Sequence, residues 1–210
     1  MKAALRWSGC AATLVLVLGS IGPAAGAQPA TPEGRAVAAA TAVFAGGCFW
    51  CMEADFEKLP GVIGAQSGYT GGRTPNPGYH QVSAGGTGHT EAVSVSYDPA
   101  QVSYRQLVEY FWRHIDPTVK DRQFCDVGTQ YRSAIYWRNE TERRIIEASR
   151  DALLRSGKLP QVFTEIAAAS TFYPAEEYHQ DYYRKNPIRY AYYRHRCGRD
   201  ARVAEVWGDQ

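Results

Sequence analysis

The sequence lacks the features that mark several common classes of protein. Its 23 Lys and Arg residues nearly balance its 21 Asp and Glu residues, and the net charge of +2 makes no electrostatic case for nucleic-acid binding. It contains no collagen repeat, no heptad run and no solenoid period. Its N-terminal apolar run, Cys10 to Leu18, is well short of the roughly 18 residues that cross a membrane. These absences argue against a nucleic-acid-binding protein, a fibrous protein and a membrane anchor.

The composition that is present fits a single globular domain. The chain has 210 residues, of which 45% are hydrophobic and 12% aromatic. This apolar content is enough for one core, and the aromatic content is too high for a disordered chain.

The N-terminus has the three parts of a secretory signal peptide. Lys2 and Arg6 precede the apolar run, and the small residues Ala25-Gly26-Ala27 follow it. We expect a signal peptide at 1–27, a linker at 28–40, and a mature protein that is exported, either periplasmic or secreted.

The rest of the chain alternates short apolar runs with amphipathic stretches. Strands are predicted at 42–45, 62–69, 91–97, 131–136 and 161–167, and helices at 49–59, 103–114 and 141–156. This order predicts an α+β fold, a ferredoxin-like split βαβ sandwich with helices packed on a mostly antiparallel sheet. Half of the 14 tyrosines lie between Tyr173 and Tyr193 and indicate a long irregular C-terminal tail that packs rings onto the sheet. The expected catalytic domain covers 41–198, and 199–210 form a terminal tail.

Removal of Cys10 with the signal peptide leaves an even number of cysteines: Cys48, Cys51, Cys125 and Cys197. In an oxidising compartment, two structural disulfides are one interpretation. A Cys48–Cys51 bond would close so short a loop that it stabilises by about 2 kcal/mol, against about 5 kcal/mol for a loop from Cys48 to Cys197. The close spacing therefore favours a bond that is made and broken over a structural one.

The two close cysteines fall at a strand-to-helix junction. Gly46-Gly47 lets the backbone turn sharply, and Cys48 at the first helical turn would have its thiolate stabilised by the helix dipole. Cys51 lies one turn further, where α-carbons are about 5 Å apart and a disulfide is possible. Redox chemistry is favoured over zinc binding, and a cysteine hydrolase that pairs Cys48 with His179 also remains open.

Five segments, in order, give a more specific indication. They are Gly47–Trp50, Gly68–Gly72, Gly88–Val93, Asp126–Ser133 and Phe172–Gln180. Together they resemble the A-type peptide methionine sulfoxide reductases over about residues 42–198, in a variant with Gly-Cys-Phe-Trp-Cys. The resemblance implies repair of oxidised proteins by thiol-dependent reduction of methionine-S-sulfoxide, free or protein-bound.

The resemblance also implies roles for individual residues. Cys48 would attack the sulfoxide sulfur, Glu91 would protonate its oxygen, and Tyr69 and Tyr131 would donate hydrogen bonds to that oxygen. Asp126 would order a polar network. Phe49, Trp50 and His179 would bind the substrate.

The oxidised Cys48 sulfenic acid needs a second thiol. We expect Cys51 to resolve it first, Cys197 to form a second disulfide that relays oxidation to the surface, and Cys125 to be a buried free thiol. The family implies a thioredoxin-like reductant, and no metal or cofactor is expected; the mature chain should be a monomer. The alternatives are a cysteine hydrolase and a non-catalytic binding module held by disulfides.

Overall fold

The computed structural model describes residues 38–208, together with the isolated positions 4 and 9. The predicted signal peptide at 1–27, apart from those two positions, and most of the predicted linker at 28–40 lie outside the described residues. The first strand begins at Ala40. None of the helices within the described residues is long and apolar enough to cross a membrane.

Strands form one large sheet and one small ribbon. The described strands are β1 Ala40–Gly46, β2 Val62–Thr70, β3 Thr90–Tyr97, β4 Arg122–Gln123, β5 Asp126–Val127, β6 Ser133–Trp137, β7 Glu165–Ala168 and β8 Tyr173–Pro174. Six of them make a sheet in the order β7-β6-β1-β3-β2-β8, and β4 pairs with β5. All neighbours in the large sheet are antiparallel except β6 and β7. The prediction of an α+β fold with a mostly antiparallel sheet is confirmed.

The helices are α1 Phe49–Phe56, α2 Tyr79–Ser83, α3 Tyr104–Arg113, α4 Glu140–Arg155, α5 Tyr182–Lys185, α6 Pro187–Arg196 and α7 Arg199–Trp207. Local sequence explains where the longer ones begin. Ser103 and Gln106 form a reciprocal capping box at the start of α3, and the side chain of Asn139 accepts from the backbone of Glu142 at the start of α4.

Aromatic side chains hold α1 and α3 against the sheet. Phe44 of β1 is fully buried, and its ring stacks on Phe56 of α1 at 4.8 Å and on Phe111 of α3 at 5.2 Å. This burial of three large rings fixes the position of β1 and α1, and therefore of the turn that joins them.

The prediction of a long irregular C-terminal tail is wrong, because residues 182–207 form α5, α6 and α7. Pro187 takes the first position of α6, and Gly198, with φ +68°, separates α6 from α7. Arg199, which falls in the predicted terminal tail at 199–210, is buried. Polar contacts anchor the region to the domain: Arg199 donates to the Gly46 carbonyl, and the Trp207 indole donates to the Ile115 carbonyl.

Candidate active site

Cys48 lies at the junction of β1 and α1, as the sequence predicts. It is the N-cap residue of α1, and its carbonyl oxygen accepts from the Cys51 backbone N–H at 3.1 Å. The preceding Gly47 has φ +83°, and a Cβ atom there would lie 2.5 Å from the side chain of Gln123. Only glycine fits this turn, which directs the Cys48 sulfur into a pocket.

A small pocket of about 80 Å³ is lined in part by Cys48. It is lined by Cys48, Phe49, Trp50, Tyr79, Glu91, Asp126, Tyr131 and Tyr193. Six of these residues are in the predicted site. The sequence did not predict the other two, Tyr79 and Tyr193. Four predicted residues are not part of the pocket lining: Cys51, Tyr69, His179 and Cys197.

Glu91 is a buried acid that lines the same pocket as Cys48. It is the second residue of β3, is 3% exposed, and accepts a hydrogen bond from the Phe49 N–H at 3.0 Å. Burial raises the pKa of Glu91 to about 8, against the lowering effect of that hydrogen bond. The carboxyl group is therefore protonated at neutral pH and is able to donate a proton in the pocket.

The two thiols of α1 are free and buried, Cys48 at 6% and Cys51 at 2% exposure. Burial is the main cause that raises the pKa of Cys48, and the neighbouring Cys51, Glu91 and Asp126 add to it. The hydrogen bond from Cys48 lowers the pKa of Cys51. Desolvation of the Cys48 thiol therefore opposes the thiolate stabilisation expected from the start of the helix.

Tyr69, predicted to donate to the sulfoxide oxygen, is not one of the residues that line the pocket. Its side chain is fully buried, and its hydroxyl donates to Glu176 Oε2 at 2.9 Å. Tyr79 lines the pocket instead, and its backbone N–H donates to the other oxygen of Glu176 at 2.8 Å. Burial raises the pKa of Tyr79 to about 12, and it also raises the pKa of Tyr131, so both hydroxyls stay protonated donors. The length of the Gly-rich loop that follows β2 was the available signal for Tyr79.

His179 supports the pocket wall from behind. Its Nδ1 accepts the indole N–H of Trp50 at 3.0 Å, and its ring lies 5.0 Å from that of Phe49. Burial lowers the pKa of His179, which keeps the ring neutral. Within residues 38–208 no hydrogen bond joins His179 to Cys48. The arrangement does not support a cysteine hydrolase. His179 contacts the pocket wall through Trp50 and Phe49, and its contact with substrate stays a prediction.

Asp126, predicted to order a polar network, lines the pocket, and α6 supplies its hydrogen-bond partner. The hydroxyl of Tyr193 donates to Asp126 Oδ2 at 2.6 Å. Tyr193 belongs to the tyrosine-rich segment that the sequence assigned to packing. Its position in the pocket depends on α6 folding back onto the domain, which the local sequence does not reveal.

The prediction that Cys125 is a buried free thiol is wrong, because Cys125 is exposed and forms a disulfide with Cys197. This pairing and the two free thiols of α1 contradict the interpretation with two structural disulfides. They also contradict a binding module without free thiols. Neither Cys48 nor Cys51 belongs to a group of three potential metal ligands in the described part of the chain.

Comparisons with known proteins agree with this geometry. A family model described as peptide methionine sulfoxide reductase matches residues 40–210. The chain is 47% identical over 197 residues to "Peptide methionine sulfoxide reductase MsrA 2" of Caulobacter vibrioides, covering 94% of this chain and 95% of that one. It is 51% identical to MsrA of Listeria innocua, covering 79% and 94%.

Two solved structures are similar to most of the chain. One is methionine sulfoxide reductase A of Corynebacterium diphtheriae, with 40% identity, 74% of this chain and 78% of that chain covered, and a TM-score of 0.65. The other is Mxr1 from Saccharomyces cerevisiae in reduced form, with 31% identity, coverage of 71% and 87%, and a TM-score of 0.66.

Proposed function

The chain belongs to the peptide methionine sulfoxide reductase family and is a thiol-dependent methionine sulfoxide reductase; we propose that Cys48 is its nucleophile and Glu91 its general acid. The observation that carries this proposal is the convergence of the Cys48 thiol, the protonated Glu91 and the Tyr131 hydroxyl in one pocket.

The pocket supplies what each stage of oxygen transfer requires. The Cys48 sulfur attacks the electrophilic sulfinyl sulfur, and Glu91 gives its proton to the sulfoxide oxygen, which would otherwise be a very poor leaving group. Tyr79 and Tyr131 donate hydrogen bonds to the same oxygen, so Tyr79 replaces Tyr69 in the role first expected. The sulfoxide is reduced to methionine, and Cys48 is oxidised to a sulfenic acid.

An apolar wall orients the substrate. Phe49 and Trp50 line one side of the pocket, and the Trp50 indole is held by His179 and by stacking on Tyr182 at 3.7 Å. A methyl group against this wall, with the oxygen towards Glu91, presents one face of the sulfur to Cys48. This supports discrimination between the two epimers, and the family resemblance implies that the S epimer is the preferred one.

Cys51 is proposed as the resolving thiol. It is one helical turn from Cys48, and its pKa is lowered by the hydrogen bond from Cys48 and by the charges of Arg199 and Arg194. Its thiolate condenses with the sulfenic acid, and a water molecule leaves as the Cys48–Cys51 disulfide forms. No segment has to move for this step.

The cellular setting rests on the N-terminal sequence. The charged start, apolar run and small residues at 1–27 support an exported, periplasmic or secreted enzyme. Its reductant would then be an exported thioredoxin-like protein, and its substrates oxidised proteins and peptides in that compartment. We also propose that the mature enzyme is a monomer.

The four central strands, in the order β6-β1-β3-β2, support assignment to the ferredoxin-like split βαβ arrangement. In this arrangement α1 crosses from β1 to β2 while β3 lies between them. The start of α1 and the N-terminal end of β3, where Glu91 lies, consequently meet at the same end of the central strands.

The activity is tested with an oxidised peptide. The enzyme is incubated with a methionine sulfoxide peptide and dithiothreitol, and mass spectrometry follows the loss of about 16 Da, the mass of one oxygen atom. We expect the loss with the wild-type chain and none with Cys48→Ser. Reduction by Cys48→Ser at the wild-type rate would show that another group carries the reaction.

A further inference from the structure

Glu176 contacts the backbone of Tyr79, and we propose that it is a positioning residue that holds the Tyr79 hydroxyl in place for oxygen transfer. Glu176 belongs to the segment Phe172–Gln180 and is not one of the residues that line the pocket. It therefore acts on the reaction only through Tyr79. The inference rests on the proposed function, in which the Tyr79 hydroxyl donates to the sulfoxide oxygen.

An edge strand brings Glu176 to the loop that carries Tyr79. β8 pairs antiparallel with β2, and Ala175 extends this pairing by donating its backbone N–H to the Ser67 carbonyl at 2.9 Å. Glu176 follows directly, and its own carbonyl accepts the His179 backbone N–H at 2.8 Å. The backbone on both sides of Glu176 is therefore held by hydrogen bonds that do not involve its side chain.

The two carboxylate oxygens of Glu176 each accept one hydrogen bond. The Tyr69 hydroxyl donates to Oε2 at 2.9 Å, and the Tyr79 backbone N–H donates to Oε1 at 2.8 Å. Burial opposes ionisation of Glu176, but the hydrogen bonds that it accepts outweigh burial and lower its pKa. The side chain is consequently a carboxylate at neutral pH, and both of its oxygens are acceptors. The buried Tyr69 orients this carboxylate, which leaves the other oxygen for Tyr79.

The start of α2 depends on this contact because it has no cap of its own. Its N-cap residue is Gly78, which has no side chain to accept from the first N–H groups of the helix. Glu176 accepts the N–H of Tyr79, the first residue of α2, although the two residues are 97 positions apart. The other end of α2 is held separately, since the Gln130 side chain donates to the Ser83 carbonyl at 3.0 Å. Glu176 thus anchors the end of α2 from which the Tyr79 side chain reaches the pocket.

Single-turnover kinetics of the pre-reduced full chain test this role. In Glu176→Ala the acceptor is gone and the Tyr79 hydroxyl is held less accurately, and a misplacement of about 1 Å costs up to about 10²-fold in rate. We expect methionine release at saturating methionine sulfoxide peptide to slow by about 5- to 50-fold. A Glu176→Ala rate within about twofold of wild type would overturn the inference.

Glu177→Ala is the matched control. Glu177 is the next residue in the chain, is exposed, and forms an ion pair with Lys185 at 2.7 Å. Its replacement should change the rate by less than about twofold, because an exposed ion pair contributes little. Glu176→Met, which fills a similar volume without an acceptor, should lose as much activity as Glu176→Ala. It decides the question if urea titration shows that Glu176→Ala does not fold.

A double-mutant cycle separates positioning of Tyr79 from a general structural role. In Tyr79→Phe the hydroxyl is already absent, so the addition of Glu176→Ala should change the rate by less than about threefold, whereas independent effects would multiply. An equal loss from Glu176→Ala with and without the Tyr79 hydroxyl would overturn the inference, because Glu176 would then act by another route.

Failure of the proposed function has separate signs. If the wild-type enzyme released no methionine, or if Cys48→Ser released it at the wild-type rate, the proposed function itself would be contradicted. If Tyr79→Phe reacted at the wild-type rate while Cys48→Ser was inactive, the role of Cys48 would stand and the inference about Glu176 would be overturned.

Discussion

Replacement of Glu91 by glutamine removes the proton donor and leaves the shape of the pocket nearly unchanged. With a pKa of about 8, roughly 90% of the Glu91 side chains are protonated at pH 7, whereas a carboxyl group with the ordinary value of 4.5 would be protonated in about 0.3%. Burial thus increases the acid form about 300-fold. The amide of Glu91→Gln is able to donate a hydrogen bond to the sulfoxide oxygen, but it cannot transfer a proton.

The assay is a single turnover of the pre-reduced enzyme, with methionine release measured between pH 6 and pH 9.5. We expect Glu91→Gln to be slower at pH 7 by about 10²- to 10⁴-fold, the usual contribution of a general acid. The wild-type rate should fall as the pH rises through about 8, since Glu91 then loses its proton. The variant should show no such fall.

Glu53→Gln is the matched control. Glu53 is also buried, with its pKa raised to about 7 mainly by burial, and it is bonded to Ser67 and Asp181 outside the pocket. Its replacement should change the single-turnover rate by less than about threefold. If Glu53→Gln and Glu91→Gln lowered the single-turnover rate by similar factors, the loss would reflect a structural role of buried carboxyl groups and not proton donation by Glu91. A Glu91→Gln rate within fivefold of wild type would refute general acid catalysis by this residue.

The free energy of unfolding should fall as the pH rises, because the pKa of Glu91 differs between the folded and the unfolded chain. Glu91 keeps its proton in the folded state up to pH 8, whereas in the unfolded chain it loses the proton near 4.5. The unfolded state therefore binds fewer protons between these values, and the contribution of Glu91 to stability falls as the pH rises. Relative to Glu91→Gln, the wild type should lose about 1.4 kcal/mol of unfolding free energy per pH unit in this window, measured by urea titration.

Three further predictions concern other residues. Cys51→Ser should release one equivalent of methionine but lose multiple turnover, and full turnover would exclude Cys51 as the necessary resolving thiol. Tyr79→Phe should slow the single turnover by about 10- to 100-fold, whereas Tyr69→Phe should leave its rate within a fewfold; the reverse order would return the role to Tyr69. Phe44→Ala should lower the free energy of unfolding by about 3–5 kcal/mol in urea titrations, because its fully buried ring packs against two others; a loss below about 1 kcal/mol would contradict this account of the core.

Most secondary structure and the position of the nucleophile could be predicted from the sequence because the signals for them are local. Alternating apolar residues mark β3, and Ser103 with Gln106 marks the start of α3. Two glycines before Cys48 indicate a sharp turn into a helix. Such signals act over a few residues and do not depend on what packs from elsewhere. The C-terminal helices escaped prediction because long-range polar contacts, such as Arg199 with Gly46, hold them in place.

The amino-acid sequence by itself determined the chemistry of this protein: a close pair of cysteines at a helix start, and an acid at the start of a strand. Tertiary structure decided that Tyr79 and not Tyr69 lines the Cys48 pocket, and that Cys125 pairs with Cys197. It also decided the protonation of Cys48 and Glu91, because a pKa depends on desolvation and on charges brought close by distant segments. The spacing of residues along the chain specifies neither the desolvation of a group nor the charges around it. Both are set only when the chain has folded.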